Sequence, residues 1–218
     1  MRIAVLSSGG KDSSAAWWWA QCRGWDVVAL VTVQIQDGDS HMFQVPSTKW
    51  VEQQAIAAQV DWYSVKASGS VDDEISSLEA VLDELDLDAI VSGALRSDFQ
   101  KVKLENMAHR LGIHSFSPLW HQDPYTHLHD MIENGFKIMI NSVSCEVLDG
   151  QWLGIVLDLE NVRELKLLSE KYRFNVDGEG GEYETFVVAG PHLPHTLKVE
   201  GTASFDSIRG VFTITKVH

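Results

Sequence analysis

Short apolar runs alternate with amphipathic segments along the first half of the chain. The apolar runs predict five β-strands, at residues 3–6, 25–33, 62–65, 89–92 and 113–116. Helical patterns lie between them, at residues 12–23 and 50–60, after Ser70, and at residues 97–111. Strands that alternate with helices in this way predict an α/β fold with a doubly wound, five-stranded parallel sheet and right-handed crossovers.

The pattern changes after Pro118 and Pro124. Helices are predicted at 126–134 and around 162–172, and a long strand at 136–148 leads into Asp149-Gly150, a hairpin-type turn signal. Further strands are expected towards the C-terminus, separated by Gly190-Pro191 and by Gly201. The chain is therefore predicted to form two domains, residues 1–123 and a smaller α+β domain of residues 124–218.

Composition and charge exclude several classes of protein. The 218 residues include 17 Lys and Arg against 31 Asp and Glu, which gives a formal net charge of −14. This balance argues against direct nucleic-acid binding through phosphates and against an anionic membrane surface. Two cysteines exclude a disulfide scaffold and any multi-cysteine metal site. Because we find no signal peptide and no long apolar stretch, we expect a soluble, cytoplasmic protein without a membrane partner.

The strongest chemical signal is the segment SGGKDS at residues 8–13, between the first predicted strand and the first helix. Ligands of open parallel sheets bind beyond the carboxyl ends of the strands, where a helix N-terminus favours anions. Gly9 and Gly10 let the backbone approach a phosphate closely. Lys11 adds a positive charge, and Asp12 is a natural Mg²⁺ ligand. The segment lacks the spacer before Gly-Lys that the P-loop of kinases and GTPases requires.

A second signal is the acidic glycine-rich segment GEGGEYET at residues 178–185. Its glycines allow an unusual backbone path, and its three carboxylates crowd into a small volume. Like charges so close together are costly unless a cation, a metal ion or several hydrogen-bond donors compensate them. The segment is therefore a candidate binding loop.

SGGKDS after the first strand resembles the pyrophosphatase loop of the N-type ATP pyrophosphatases, which share the adenine nucleotide alpha hydrolase-like (HUP) fold. The resemblance implies that ATP is cleaved between its α and β phosphates. It implies that Lys11 and Asp12 are catalytic and that Asp12 binds Mg²⁺. It also implies an ATP and pyrophosphate site formed by Ser8, Gly9, Gly10, Lys11, Asp12, Ser13 and Gly93.

Together with GEGGEYET, the segments GALRSDFQKVKLE at 93–105 and Pro-Leu-Trp at 118–120 resemble the diphthine–ammonia ligase family, the diphthamide synthetases. The resemblance extends over nearly the whole chain. It implies that ATP adenylates the carboxylate of diphthine on translation elongation factor 2, and that ammonia then forms the amide diphthamide. ATP as co-substrate, Mg²⁺, ammonia and the elongation factor are the expected cofactors and partners, and a homo-oligomer is possible.

Substrate-binding residues follow from the same resemblance. Gln100, Lys103 and Glu105 are expected on one side of the fourth helix, near the carboxyl edge of the sheet. The acidic segment contributes Glu179, Gly180, Gly181, Glu182, Tyr183, Glu184 and Thr185. Within it, Glu182, Tyr183 and Glu184 are candidates to bind the trimethylammonium group of diphthine, since an anionic and aromatic lining suits such a cation. We expect the acidic segment to face the SGGKDS loop.

The sequence departs from the family at three places. Phe99 and Lys103 stand where the family usually has Tyr and Arg, and Asn175-Val-Asp177 stands where a His-Pro pair is frequent. Lys103 keeps the charge but loses the planar fork that binds carboxylates or phosphates. These changes concern substrate preference more than ATP binding.

Two alternative functions remain open. One is another pyrophosphatase-loop adenylating enzyme, for example a tRNA-thiolating one, which the acidic charge and the lack of a cysteine pair disfavour. The other is a non-catalytic module that binds ATP or AMP, which the intact Lys11 and Asp12 disfavour. The Trp17-Trp18-Trp19 run is interpreted as packing, with Trp18 and Trp19 sharing a face with Ala15.

Overall fold

The computed structural model of the chain describes residues 1–35, 47–68 and 70–218, which form two compact units, Met1–His121 and Gln122–His218. The strands of the first unit are β1 (Arg2–Leu6), β2 (Asp26–Ile35), β3 (Asp61–Ala67), β4 (Ala89–Ser92) and β5 (His114–Phe116). Its helices are α1 (Lys11–Cys22), α2 (Val51–Ala58), α3 (Val71–Asp83) and α4 (Asp98–Leu111), and a 3₁₀ turn (Thr48–Trp50) precedes α2. The strand order is β3-β2-β1-β4-β5, and all pairings are parallel. The predicted α/β sheet is confirmed.

The strand order places a topological switch point between β1 and β4. From β1 the chain builds outward through β2 and β3, and it then returns to the other side of β1 to add β4 and β5. The connections after β1 and β4 therefore lead away in opposite directions, which opens a crevice at the carboxyl ends of these two strands. Both strands are buried along nearly their whole length, as expected of central strands in a sheet covered by helices.

Helices α3 and α4 cover one face of this sheet. Leu78 and Leu82 of α3 and Leu104 and Met107 of α4 are buried in the apolar core that they share with the strands. Each helix begins at a serine whose hydroxyl accepts a backbone N–H bond at 3.3 Å, Ser70 from Asp73 and Ser97 from Gln100. Caps of this kind stabilise a helix by about 1 kcal/mol.

Two ion pairs join α3 to α4, and they are separated by the same number of residues on both helices. Lys103 Nζ lies 3.5 Å from Asp72 Oδ1, and seven residues further along both helices the guanidinium of Arg110 binds the Glu79 carboxylate. The Arg110 Nε atom lies 2.9 and 3.1 Å from the two Glu79 oxygens. Hydrogen bonds from Arg110 lower the pKa of Glu79, because they favour its charged form. The matching step shows that the two helices run parallel.

The second unit is an antiparallel sheet with two helices. It contains α5 (Pro124–Glu133), β6 (Lys137–Val143), a 3₁₀ turn (Gly150–Trp152), α6 (Leu159–Tyr172), β7 (Tyr183–Ala189), β8 (Val199–Asp206) and β9 (Arg209–Val217). The strand order is β7-β6-β9-β8. Strands β6 and β9 pair only at Ser142 and Val143, whereas β8 and β9 pair along their full length. The predicted α+β character is confirmed.

Two local predictions for this unit are wrong. The strand predicted at 136–148 ends at Val143, and Asp149 caps a 3₁₀ turn by accepting the Gln151 N–H at 2.9 Å, so no hairpin forms there. Gly201 does not separate two strands but lies inside β8 at a register irregularity. A Cβ at this position would stand 2.5 Å from the Phe212 ring, so the glycine makes room for a side chain of the neighbouring strand.

Within the described parts of the chain, we find no helix with the length and apolar character that crossing a membrane requires.

Candidate functional site

The loop between β1 and α1 lies at the switch point of the parallel sheet. It consists of Ser7, Ser8, Gly9 and Gly10, and α1 begins at Lys11. Gly10 has extended backbone angles, φ −82° and ψ 177°, and offers no side chain as a cap for the helix. The first N–H groups of a helix have no partner within the helix, and its dipole favours negative charge at this end. The position and the open cap suit an anion.

Gly9 gives the loop its bend. Its φ of +79° is the left-handed conformation that glycine adopts without a Cβ penalty. Two serine hydroxyls hold N–H groups of the bend: the Gly9 N–H donates to Ser7 Oγ at 3.2 Å, and the Gly10 N–H donates to Ser8 Oγ at 3.4 Å. The second distance is long for such a bond, so the Gly10 N–H is only weakly engaged.

The two glycine carbonyls are held by donors from the protein. Gln54 of α2, which is fully buried, donates from its side-chain amide to the Gly9 carbonyl at 3.2 Å. The Gly10 carbonyl accepts from the Ser14 N–H and from the Ser13 hydroxyl, both at 3.1 Å. A carbonyl oxygen aimed at a phosphate would repel it, and these contacts engage both oxygens elsewhere. The predicted residue Ser13 therefore has a loop-building contact in this structure.

Lys11 and Asp12 form an ion pair at the start of α1. The Lys11 residue is 5% exposed, and its Nζ lies 2.8 Å from Asp12 Oδ2. The Asp12 side chain is 23% exposed. The pair places a buried ammonium group and a partly accessible carboxylate beside the open helix end.

Mg²⁺ that accompanies a nucleotide is usually held by one or two carboxylates together with the phosphates. Asp12 meets this requirement by its oxygen donors, its partial exposure and its place in the first turn of α1. The residues present thus fit a Mg²⁺ ion that arrives with ATP.

Gly93, directly after β4, packs against the same helix turn. A Cβ at this position would stand 2.6 Å from the Asp12 carbonyl carbon and 2.6 Å from the Ser13 nitrogen. The structure thus brings together the two segments that the sequence assigned to one site. Ser92, the last residue of β4, shares a 3.0 Å hydrogen bond with the Ser117 hydroxyl beyond β5. Neither serine stood out in the sequence, because a lone serine after a strand carries little signal.

The residues predicted on one side of α4 are divided between two sides. Lys103 pairs with Asp72 of α3, while Glu105 pairs with Lys101 of its own helix. At 100° per residue, position 105 lies about 160° from position 103, whereas positions 100 and 103 are about 60° apart, so the expectation of a single face for all three was wrong. Gln100 is half-buried in the first turn, where its N–H binds Ser97. Substrate binding by Gln100, Lys103 and Glu105 stays a prediction.

In the second unit, the Glu182 carboxylate organises the acidic glycine segment. Its Oε1 accepts the Asn175 backbone N–H at 2.8 Å and the Asn175 side-chain amide at 2.9 Å. Its Oε2 accepts the Gly180 N–H at 2.8 Å. A Cβ at Gly180 would stand 2.7 Å from Glu182 Oε1, so a side chain at this position would displace the carboxylate from its hydrogen bonds. Glu182 therefore holds the loop together through three hydrogen bonds. The donors that the crowded carboxylates were expected to need come, for Glu182, from Asn175 and Gly180 of the protein.

Two other residues of the segment are structural rather than exposed. The Tyr183 ring is buried, with 2% of the residue exposed, and its hydroxyl donates to the Val176 carbonyl at 2.7 Å. Thr185 is 3% exposed within β7. The expectation that Tyr183 lines a cation site is therefore corrected, because its ring packs inside the unit. Glu179 and Glu184 are half-buried, and the Glu179 N–H donates to Asp177 Oδ1 at 3.4 Å.

Ser144, directly after β6, attaches the acidic segment to the sheet. Its N–H donates to the Glu182 carbonyl at 2.9 Å, and its hydroxyl donates to the Gly181 carbonyl. Gly181 itself has a φ of +81°. Sequence inspection missed both Ser144 and the role of Asn175. In the sequence, Asn175 is visible only as a departure from the family, and a contact across 37 residues, as for Ser144, leaves no local pattern.

A cavity of about 640 Å³ lies elsewhere in the second unit. Its walls are mostly apolar and include Phe136, Met139, Val156, Leu197 and Phe212. None of the residues predicted for ATP or substrate lines it.

Comparisons with known proteins agree across both units. The family model described as diphthamide synthase N-terminal domain matches residues 1–115, and the one described as diphthamide synthase C-terminal domain matches residues 123–218. A diphthine–ammonia ligase of Danio rerio is 30% identical, over 100% of this chain and 96% of its own length. The Homo sapiens and Bos taurus proteins of the same name are 31% and 32% identical, each over 93% of this chain and 84% of their own length.

A solved structure, titled as a predicted subunit of a tRNA methyltransferase from Methanocaldococcus jannaschii, covers 88% of this chain and 98% of its own chain. Its TM-score of 0.48 and its 18% identity support no inference about function. The two family models and the full-length relatives together show that the chain belongs to the diphthamide synthase family.

Proposed function

We propose that this protein is an ATP-dependent diphthine–ammonia ligase that converts diphthine on translation elongation factor 2 into diphthamide, and that it uses ammonia and releases AMP and pyrophosphate. The observation that carries this proposal is the loop after β1. It turns both glycine carbonyls towards protein donors and places a glycine without a side-chain cap at the start of α1, in a chain whose relatives are named diphthine–ammonia ligases.

The proposed chemistry takes two steps. A carboxylate oxygen of diphthine attacks the α-phosphorus of ATP, the bond from that phosphorus to the bridging oxygen breaks, and pyrophosphate leaves. The nitrogen of ammonia then attacks the acyl carbon, the bond to AMP breaks, and the amide loses its extra proton to solvent. Activation is needed because a free carboxylate is a poor acyl donor, and AMP is a good leaving group.

The residues of the loop support the first step through charge. Negative charge builds up on the departing pyrophosphate, and preorganised N–H groups and cations that face it lower the barrier. The Lys11 ammonium and the first N–H groups of α1 are suited to this role, because they lie at the positive end of the helix dipole. Bound Mg²⁺, held by Asp12 and the phosphates, would offset further charge on the leaving group.

The proposed role of the acidic segment is to recognise diphthine. Glu182 shapes the loop through its three accepted hydrogen bonds, so we assign contact with the trimethylammonium group to the half-buried carboxylates Glu179 and Glu184 instead. A cytoplasmic location and a homo-oligomer remain predictions.

The decisive experiment uses elongation factor 2 that carries diphthine. The factor is incubated with the protein, ATP, Mg²⁺ and ammonium, and the modified histidine is then analysed by mass spectrometry while AMP is quantified. We expect diphthamide and AMP in equal amounts. ATP binding without AMP formation would favour the non-catalytic alternative, and AMP formation that depends on tRNA would favour the tRNA-modifying alternative.

A further inference from the structure

Gln54 is a fully buried polar residue that reaches the proposed nucleotide loop from another helix. It lies on α2, and 45 residues separate it in sequence from Gly9, whose carbonyl accepts its side-chain amide at 3.2 Å. Burial of an amide is costly unless it is hydrogen-bonded. A buried glutamine directed at one loop carbonyl therefore indicates that the orientation of this carbonyl matters.

The peptide bond between Gly9 and Gly10 explains why. A trans peptide is planar, so its C=O and its N–H point in opposite directions. When Gln54 holds the Gly9 carbonyl, the Gly10 N–H is directed to the other side, where it donates a long hydrogen bond of 3.4 Å to the Ser8 hydroxyl. Two adjacent glycines restrict this peptide weakly, so without an anchor it could rotate and present the carbonyl oxygen to an anion.

We infer that Gln54 is a positioning residue for the nucleotide: it fixes the Gly9–Gly10 peptide so that the Gly10 N–H, and not the Gly9 carbonyl, faces the phosphates of ATP. This inference rests on the proposed function, because it assumes that the loop binds ATP. It adds a residue from outside the SGGKDS segment to the site.

The test compares two glutamines of the same helix. Gln54→Met keeps the length of the side chain but removes the donor, and Gln53→Met makes the same change at a half-exposed neighbour. Calorimetry measures the binding of ATP and of adenosine, which lacks phosphates, to both variants and to the unchanged protein. We expect Gln54→Met to weaken ATP binding about tenfold, the effect of losing one good hydrogen bond, and to leave adenosine binding unchanged. Gln53→Met should change neither.

The ratio of the two affinities separates positioning from general structural support, because a merely loosened fold would weaken both ligands together. Equal ATP affinity for Gln54→Met and the unchanged protein would overturn the inference, and so would a parallel loss of ATP and adenosine. If Gln54→Met does not fold, Gln54→Asn replaces it, since its amide is one methylene too short to reach Gly9, and the same selective loss is expected. Failure of the unchanged protein to bind ATP would instead refute the proposed function.

Discussion

Gly93 lies so close to the first turn of α1 that a Cβ built on it would stand 2.6 Å from the carbonyl carbon of Asp12. The end of β4 and the start of α1 are thus in backbone contact. The three nearest atoms, the carbonyl carbon and oxygen of Asp12 and the nitrogen of Ser13, all belong to the main chain, so no side chain can rotate away to relieve a collision.

Gly93→Ala is therefore expected to push the first turn of α1 out of place. The free energy of unfolding should fall by about 1–3 kcal/mol, as in other overpacked sites, and ATP binding should be lost. Thermal unfolding and calorimetry measure the two effects. Gly112→Ala serves as a control, because open space surrounds Gly112 and only its φ of +70° opposes a side chain. It should cost about 1 kcal/mol and leave ATP binding intact. Normal ATP affinity in Gly93→Ala would show that the contact does not shape the site.

Lys11→Met is expected to reduce AMP formation by about 10²–10³-fold, because it removes the buried cation beside the open end of α1. Lys49→Met removes an exposed lysine that contacts the Trp50 ring, and it should leave the rate nearly unchanged. Quantified AMP release with the diphthine-bearing factor tests both variants. Equal rates for Lys11→Met and Lys49→Met would mean that the loop does not hold the departing pyrophosphate.

Glu182→Gln should disturb the acidic segment while it spares the nucleotide. The carboxylate accepts three hydrogen bonds, and an amide group in its place turns one acceptor into a donor that faces an N–H. We expect the free energy of unfolding to fall by about 1–3 kcal/mol and the KM for the elongation factor to rise, with the KM for ATP unchanged. Glu146→Gln, an exposed site between β6 and β7, is the matched control. An equal rise of both KM values would place the segment at the nucleotide.

The burial of His192 is expected to make the free energy of unfolding depend on pH. Burial lowers the pKa of His192 to about 3, because desolvation disfavours the imidazolium form. The unfolded chain takes up a proton near pH 6.5 and the folded chain does not, so stability is full above this pH and falls as the pH decreases towards 3. The loss amounts to about 1.4 kcal/mol per pH unit.

Denaturant unfolding between pH 7 and 4 measures this slope. His192→Gln should make it shallower than in the unchanged protein, whereas His195→Gln, at an exposed position nearby, should not alter it. Identical slopes for His192→Gln and the unchanged protein would contradict the assignment. The comparison is made between variants because the carboxylates of the chain also titrate in this range.

Elements with a strong local pattern could be predicted, and contacts between distant segments could not. The five parallel strands follow from apolar runs, and the end of α4 follows from Gly112. The Asp149-Gly150 signal failed because aspartate followed by glycine also suits a capped 3₁₀ turn, and nothing local separates the two. The tryptophan run was interpreted as packing, but only the structure distinguishes its members: Trp17 is buried, while Trp18 and Trp19 are half-buried.

The candidate site shows the same limit. SGGKDS and Gly93 were assigned together through the family resemblance, and the structure bears out their proximity, because β1 and β4 are parallel neighbours whose ends lie at one edge. Gln54 could not be assigned, since a glutamine within a helix carries no signal until the fold places it under Gly9. Glu182 was expected to contact the ligand, and it instead holds the loop together. This role could not be predicted without knowing that Asn175 lies beside its carboxylate.

The paired charges between α3 and α4 have a consequence for alignment. Asp72 with Lys103 and Glu79 with Arg110 repeat at one interval on both helices. Exposed pairs of this kind add little to stability, typically below 1 kcal/mol. Sliding one helix along the other by a single turn, about 5.4 Å, would nevertheless break both pairs at once. Their shared interval therefore favours one position of α4 along the axis of α3. This position also sets where Gln100, in the first turn of α4, lies relative to α3.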